Sequence, residues 1–310
     1  MNTTELQPPS AAPSVTSRSH FLRLRGLLHH IREWGDPAKP IVLLGHGWLD
    51  VSATFQDLVQ PLLGEWRVVA PDWRGFGHSQ WPLDGYWFPD YVADLDGLVQ
   101  HFSPEAPLVL VGHSMGAQIM SLYAGMRPQK VSRLVCLDGL FLPDMEARLA
   151  PKHLRRWVDI WPGKPPTRTY PSFEFLAERV RVQHPQLTPE RALFIARCWG
   201  AEDAYGRIRL LADPKHHLPM PHLYRAAESK EIWRQVTAPT LFIDAGKSNL
   251  AQALTAEEHA DRRACFRDGR SVTLADAGHM LHFDAPLETG RLIAGFLRSG
   301  PATVEAPRFT

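Results

Sequence analysis

Residues 107–126 read PLVLVGHSMGAQIMSLYAGM, and this stretch decides the fold. The apolar run PLVLV predicts a buried strand, and AQIMSLYAGM has the spacing of a helix and consists largely of good helix formers. Between them, the five residues Gly112-His113-Ser114-Met115-Gly116 fit the pattern G-x-S-x-G. In this position the pattern predicts a sharp turn that presents Ser114 at the strand tip as a nucleophile, with glycines where strand and helix crowd together.

Short apolar runs alternate with longer amphipathic runs on both sides of this stretch, which predicts βαβ units and a mainly parallel sheet. Before residue 140, the pattern predicts a hairpin at 22–31 that turns near Gly26, strands at 40–45, 66–71, 107–112 and 131–137, and helices at 53–63, 89–102 and 115–127. After residue 236, it predicts strands at 238–246 and 271–276 and helices at 250–264 and 286–298.

The strand pattern is interrupted by a middle segment rich in proline, arginine and aromatic residues, with helical patterns at 144–157, 172–183 and 188–199. Such an interruption predicts a helical lid inserted into an α/β core. The predicted divisions are a disordered N-terminal tail, a core in two pieces, the lid and a C-terminal tail, over residues 1–20, 21–140 with 236–300, 141–235 and 301–310.

The composition excludes some partners and indicates a compartment. Lys and Arg number 34 against 33 Asp and Glu, so a net charge of +1 gives no field that would gather nucleic acid or an acidic membrane face. No apolar stretch approaches the roughly 20 residues that span a bilayer, and the first residues show no export address. The three cysteines are far apart and predict reduced thiols. We therefore expect a cytoplasmic protein without nucleic-acid or membrane partners.

Two further segments supply what an acyl-transfer serine needs. His46-Gly47-Trp48 follows an apolar strand, and its turn would place the Trp48 amide beside the Met115 amide as an oxyanion hole. Late in the chain, His279 lies between the last predicted strand and a helix that begins near Pro286. This position predicts His279 as the general base, with the neighbouring His282 at the pocket wall or supporting the base.

Four motifs together resemble the α/β-hydrolase superfamily over about residues 21–300: HGW (46–48), PDWRGFGHS (71–79), GHSMG (112–116) and GHM (278–280). HGWLDVSATF (46–55), LDG (137–139) and DPKHHLPMP (213–221) resemble its serine-hydrolase-like subgroup. The resemblance implies an α/β-hydrolase fold with a mostly parallel eight-stranded sheet flanked by helices. Serine at position 114 distinguishes the chain from the related dehalogenases and epoxide hydrolases, which use an aspartate nucleophile. Asp72 and Arg74 are expected to brace their loop.

The acid of the triad is not where many relatives carry it. In those relatives it follows the strand after the lid in a G-x-x-D pattern, whereas this chain reads Ala245-Gly246-Lys247-Ser248-Asn249. Asp138 ends the strand next to the nucleophile strand, so both side chains would meet at one sheet edge and the carboxylate could orient the imidazole. Haloalkane dehalogenases and some lactone hydrolases are similar in placing their acid there. Asp138 is therefore the predicted acid, with Asp244 and then Asp276 as alternatives.

The predicted function is serine hydrolysis of a carboxylic ester or lactone with a hydrophobic acyl or aryl group, through an acyl-enzyme on Ser114. Aromatic residues of the lid favour an apolar small-molecule substrate. No metal or organic cofactor is implied, because paired Cys or His ligand spacing and phosphate-binding loops are missing from the sequence. The residues expected to contact substrate are His46, His113, Phe141, Trp157 and Trp161.

Two other functions remain compatible with these residues. A carbon–carbon bond hydrolase or perhydrolase would use the same triad and differ only in its substrate. A non-catalytic binding protein on this scaffold is suggested by the missing G-x-x-D carboxylate. The binding protein predicts that no carboxylate reaches His279, and this expectation distinguishes it from the enzymes.

Overall fold

The computed structural model describes residues 15–160 and 165–299. The strands of its main sheet are β1 (Ser17–Leu24), β2 (Leu27–Trp34), β3 (Ile41–Gly45), β4 (Arg67–Pro71), β5 (Leu108–His113), β6 (Val131–Leu137), β10 (Thr240–Ala245) and β11 (Gly269–Leu274). They lie in the order β1-β2-β4-β3-β5-β6-β10-β11. β2 is antiparallel to β1 and β4, and the remaining pairs are parallel. The predicted mostly parallel eight-stranded sheet is confirmed.

Each central strand is apolar on both faces because helices cover both sides of the sheet. In β5, Leu108 and Leu110 face one apolar cluster, and Val109 and Val111 face a second. The first cluster packs against α1 (Phe88–Phe102) and α2 (Met115–Met126). The second packs against α9 (Pro286–Arg298). α7 (Ala256–Arg263) connects β10 to β11, and the short α8 (Leu281–Asp284) follows β11. Because the central strands are parallel, their carboxyl ends meet at one edge of the sheet.

The described residues between β6 and β10, 141–160 and 165–235, are called the insert below. Its helices are α3 (Ala150–Ile160), α4 (Phe173–Gln183), α5 (Pro189–Trp199) and α6 (Ala226–Trp233), and a small antiparallel sheet contains β7 (Thr169–Tyr170), β8 (Gly200–Glu202) and β9 (Ile208–Leu210). Ser172 and Thr188 cap α4 and α5 through their hydroxyl groups. None of the helices in the described part of the chain is long and apolar enough to cross a membrane.

The observed elements differ from the predicted ones in several places. Residues 53–63 form two 3₁₀ turns, Ser52–Gln56 and Gln60–Leu62, because Pro61 has no N–H for a continuous helix. The small sheet of the insert was not predicted, since strands of two or three residues are too short to show alternation. Strand β1 begins at Ser17, inside the segment predicted as a tail. The rest of that segment up to residue 14 and the predicted tail at 301–310 lie outside the described residues.

The end of the insert packs as part of the core. The Trp233 side chain in α6 is fully buried in the cluster that also contains Tyr123 of α2 and Phe266. Its indole N–H donates to Ser121 Oγ at 3.0 Å. The three cysteines, Cys136, Cys198 and Cys265, are all free thiols.

His216 is enclosed by two aromatic rings where the insert returns to the core. Its ring centroid lies 3.8 Å from that of Phe76 and 3.6 Å from that of Tyr86. This burial lowers the pKa of His216 to about 3. The imidazole is therefore neutral in the folded protein well below the pH at which a free histidine takes up a proton.

This histidine predicts a loss of stability in acid. Below pH 6.5 the unfolded chain binds a proton at His216 and the folded chain does not, so the free energy of unfolding falls as the pH falls toward 3. Partial solvent access reduces the effect to about 1–2 kcal/mol between pH 6.5 and 4. Urea unfolding over this range should show a shallower loss in His216→Phe than in wild type. His217→Gln, at the exposed neighbouring position, should keep the wild-type slope.

Candidate active site

Ser114 occupies the tight turn between β5 and α2. Its backbone has φ 51° and ψ −112°, a strained conformation for a residue with a side chain. The Ser114 amide donates to the Leu137 carbonyl at 2.9 Å, which holds the turn against the end of β6. The strand, turn and helix predicted from GHSMG are thus present, and they project the hydroxyl from the carboxyl edge of the sheet.

Glycine at position 112 allows α2 to approach β5 closely. A Cβ at Gly112 would lie 2.4 Å from the Gly116 carbonyl carbon and oxygen, so it would clash with backbone atoms that would have to shift. We expect Gly112→Ala to lower the free energy of unfolding by about 1–3 kcal/mol. Gly295→Ala is the matched control, because Gly295 lies in α9 with no atom within 4 Å of its added Cβ. It should raise stability by about 0.5–1 kcal/mol in urea unfolding; equal destabilisation by both variants would contradict this account.

His279 lies in the loop after β11 and contacts both predicted partners. Its Nε2 is 3.0 Å from Ser114 Oγ, and its Nδ1 is 2.7 Å from Asp138 Oδ2. An ionised carboxylate only accepts hydrogen bonds, so Nδ1 carries the proton and the Nε2 lone pair faces the hydroxyl. This tautomer allows the imidazole to take a proton from the serine.

Asp138 is held in place by the neighbouring strand β10. Its side chain is fully buried, its Oδ1 accepts from the Ala245 amide at 2.9 Å, and its own amide donates to the Ile243 carbonyl at 2.8 Å. The two alternative acids are paired elsewhere. Asp244 accepts from Arg263 at 2.6 Å, and Asp276 is exposed and pairs with Lys247 at 2.9 Å. Of the three carboxylates, only Asp138 is within hydrogen-bonding distance of His279.

The turn at residues 46–48 approaches the serine closely because position 47 has no side chain. A Cβ at Gly47 would lie 3.1 Å from Ser114 Cβ and 2.8 Å from His113 Nδ1. Among the described residues, the Trp48 amide has no hydrogen-bond acceptor. The Met115 amide lies in the first turn of α2, where an N–H has no partner within its own helix. Both N–H groups therefore remain candidate oxyanion donors.

Two of the residues predicted to contact substrate, His46 and His113, have completely buried rings with hydrogen-bond partners inside the protein. Their contact with substrate stays a prediction. His46 accepts from the Trp73 amide at 2.9 Å through Nε2 and donates to the Gly47 carbonyl at 2.7 Å through Nδ1. His113 donates through Nε2 to the His279 carbonyl at 2.8 Å. Burial lowers the pKa of both histidines, which keeps them neutral.

The other predicted pocket residues have different surroundings. Phe141 is largely buried, and its ring meets that of His259 edge-on at 5.2 Å, so it packs against α7. Trp157 of α3 lines a narrow crevice together with Trp87 and Met220. Trp161 lies outside the described residues. Trp48, which is 48% exposed, lies within the turn at residues 46–48 and was predicted only for its amide.

The loop after β4 is braced as expected for Asp72 and Arg74. Asp72 accepts from the Ser52 amide at 2.7 Å and pairs with His30 at 2.8 Å. Arg74 forms a two-point ion pair with the buried Asp94 at 2.5 and 2.6 Å. These contacts attach the loop to the strands and helix on which it lies.

One cluster of side chains near the site was not recognised in the sequence. Asp50, His113 and His282 are all buried and bring one ligand atom each within 4.8 Å of one another. Carboxylate and imidazole ligands of this kind suit zinc. The Asp50 carboxylate accepts hydrogen bonds from His282 and Trp199, whereas the Nδ1 atoms of His113 and His282 have no hydrogen-bond partner among the described residues. The sequence signal for this cluster was Asp50, an aspartate two residues after the HGW motif.

The fold and this arrangement of serine, histidine and aspartate define a class of protein, the α/β hydrolases. Residues 40–286 match the family model described as the alpha/beta hydrolase fold, and the chain belongs to that family.

Proteins similar over most of the chain are named as hydrolases. The serine hydrolase-like protein of Danio rerio is 28% identical over 86% of this chain and 83% of its own length. The 3-hydroxybutyrate-oligomer hydrolase of Cupriavidus necator is 29% identical over 83% of this chain and 88% of its own length. Among solved structures, the thioesterase domain from the curacin biosynthetic pathway is 26% identical with a TM-score of 0.81, covering 90% of this chain and 99% of that domain.

Proposed function

We propose that this protein is a serine hydrolase that cleaves a carboxylic ester or lactone through an acyl-enzyme on Ser114. The observation that carries the proposal is the pair of contacts made by His279, 3.0 Å to Ser114 Oγ and 2.7 Å to Asp138 Oδ2. These contacts also oppose the binding-protein alternative, which predicts that no carboxylate reaches His279.

In the proposed mechanism, His279 Nε2 takes the Ser114 proton while Oγ attacks the acyl carbonyl. The carbonyl oxygen becomes an oxyanion that accepts hydrogen bonds from the Trp48 and Met115 amides. His279 then gives its proton to the leaving alcohol, and the C–O bond breaks to leave an ester on Ser114. Water, deprotonated by the same imidazole, releases the acid and restores the serine. Asp138 holds the imidazole and stabilises its cation.

Similar proteins favour an acyl group attached to oxygen or sulfur. The Cupriavidus necator relative is named for hydrolysis of 3-hydroxybutyrate oligomers, whose units are joined by ester bonds, and the curacin domain is named a thioesterase. The half-exposed Trp48 ring meets His217 edge-on at 5.3 Å and gives the oxyanion turn an apolar, accessible border. We therefore expect an uncharged, hydrophobic acyl or aryl group.

The test is reaction with a fluorophosphonate probe, followed by assays with p-nitrophenyl esters of increasing acyl length. Mass spectrometry should locate a single adduct on Ser114, and kcat/KM should rise from the acetate to medium-chain esters. Matched p-nitroanilides, which differ only in the leaving group, should react far more slowly. A protein that neither forms the adduct nor hydrolyses any ester is not the proposed enzyme. An adduct without ester turnover would favour the carbon–carbon hydrolase or perhydrolase alternative.

A further inference from the structure

The Asp50 carboxylate connects three segments that lie far apart in the sequence. Asp50 follows the oxyanion turn by two residues, and its amide donates to the Gly47 carbonyl at 3.3 Å. The side chain is completely buried. Its Oδ2 accepts from His282 Nε2 at 2.9 Å, and its Oδ1 accepts from Trp199 Nε1 at 2.8 Å. The three segments are the turn itself, the loop of the catalytic histidine and the insert.

The His282 side of this connection leads to the catalytic histidine. His282 is fully buried three positions after His279, and its ring lies 4.7 Å from that of His113. His113 in turn donates to the His279 carbonyl at 2.8 Å. Because a carbonyl only accepts, His113 Nε2 carries the proton in this contact. The buried His113 thus holds the backbone of His279 and packs against His282, while Asp138 holds the His279 side chain.

The Trp199 side leads to the insert. Trp199 is the last residue of α5, and its ring centroid lies 5.8 Å from that of Phe283, beside His282. Its carbonyl accepts from the Leu211 amide at 2.7 Å, which attaches α5 to the small sheet of the insert. Displacement of α5 from the core would therefore remove the indole donor from Asp50.

Asp50 is ionised at this junction. Burial raises the pKa of its carboxyl group, but the hydrogen bond and charge of His282 and the hydrogen bond from Trp199 outweigh that effect and hold the pKa below its ordinary value. A buried carboxylate needs all of its donors, because each donor removed leaves charge without a partner. The Thr54 hydroxyl lies 3.0 Å from both carboxylate oxygens and 2.8 Å from the Val51 carbonyl, and its single proton can be donated to one of these three acceptors. Loss of the contact with His282 or Trp199 would therefore destabilise the buried Asp50 carboxylate.

We infer that Asp50 is a positioning residue that fixes the turn at residues 46–48, the oxyanion turn, and the His279 loop in position relative to each other. Through Trp199, this arrangement also depends on the contact between the insert and the core. This inference rests on the proposed ester hydrolysis and adds residues that neither react nor touch the acyl group. Positioning of the base and of the oxyanion donors acts on the transition state more than on substrate binding. Loss of the junction should therefore lower kcat and leave KM nearly unchanged.

The test compares Trp199→Phe with Trp233→Phe in the full chain. Each change removes one indole N–H from a buried oxygen acceptor, Asp50 Oδ1 or Ser121 Oγ, and keeps an aromatic ring. Because kcat is expressed per serine that reacts with fluorophosphonate, unfolded protein does not affect its value. We expect kcat to fall at least about fivefold in Trp199→Phe, with KM within about twofold, and to stay within about twofold in Trp233→Phe. Asp50→Asn should lower kcat further, by about 50-fold or more.

A second measurement does not depend on activity. Hydrogen–deuterium exchange should be faster in peptides covering the His279 loop and α5 in both Asp50→Asn and Trp199→Phe, relative to Trp233→Phe. Unchanged exchange in these segments, or equal loss of kcat in the two tryptophan variants, would overturn the positioning role. If wild type hydrolyses no ester, the proposed function fails, and the exchange comparison still decides whether Asp50 connects the three segments.

Discussion

Replacement of Ser114 by alanine is expected to abolish fluorophosphonate labelling and to lower kcat for p-nitrophenyl esters on the order of 10⁶-fold. The reason is chemical, since alanine has no atom that can form the acyl-enzyme, and His279 then has no hydroxyl to activate at 3.0 Å. The small activity that remains would come from water acting beside the oxyanion donors. Active-site titration and steady-state kinetics on the purified variant give both quantities.

The fold should survive this change, which makes the loss interpretable. Ser114 holds its turn through its backbone amide, which donates to the Leu137 carbonyl, and alanine keeps that amide. The variant should unfold in urea within about 1 kcal/mol of wild type. Ester turnover within tenfold of wild type, in protein that is fully folded, would rule out Ser114 as the nucleophile.

The second prediction with a large expected effect distinguishes Asp138 from Asp244 as the acid of the triad. Asp138→Asn should lower kcat about 10⁴-fold, because the asparagine oxygen would still accept from the Ala245 amide while its NH₂ group faces His279 Nδ1. The imidazole would then carry its proton on Nε2 and could not accept one from Ser114. Measurement of kcat across pH 6–9 should show the loss at every pH.

Asp244→Asn is the matched control for this prediction. Asp244 is the penultimate residue of β10 and pairs with Arg263 at 2.6 Å, and its side chain is 24% exposed. The change should leave kcat within about twofold and alter stability by less than about 1 kcal/mol. A large loss of kcat in Asp244→Asn together with a small one in Asp138→Asn would reverse the assignment of the acid.

Much of this arrangement could be predicted from the sequence because it depends on local patterns. GHSMG lies between an apolar run and a helical one, so its neighbours determine the turn at Ser114. The place of Asp138 could be predicted because the carboxyl ends of parallel neighbours β5 and β6 meet at one edge. The eight-stranded sheet could likewise be predicted from runs of β-branched and leucine residues that are buried on both faces.

The surroundings of a side chain could not be predicted where its partner is distant in sequence. His46 and His113 lie within functional motifs, and nothing local shows that both rings are buried against Trp73 and the His279 backbone. The Asp50 junction joins residues 149 and 232 positions apart, to Trp199 and His282, so no window of sequence could contain it. Such contacts become visible only after the strands and the insert are packed.

The loop after β10 has a consequence for engineering. With Asp138 as the proposed acid, this loop carries no catalytic side chain, and its tip at Asn249 and Leu250 is exposed. Exposed tips of this kind tolerate inserted sequence. We expect an epitope tag placed there to leave the free energy of unfolding nearly unchanged.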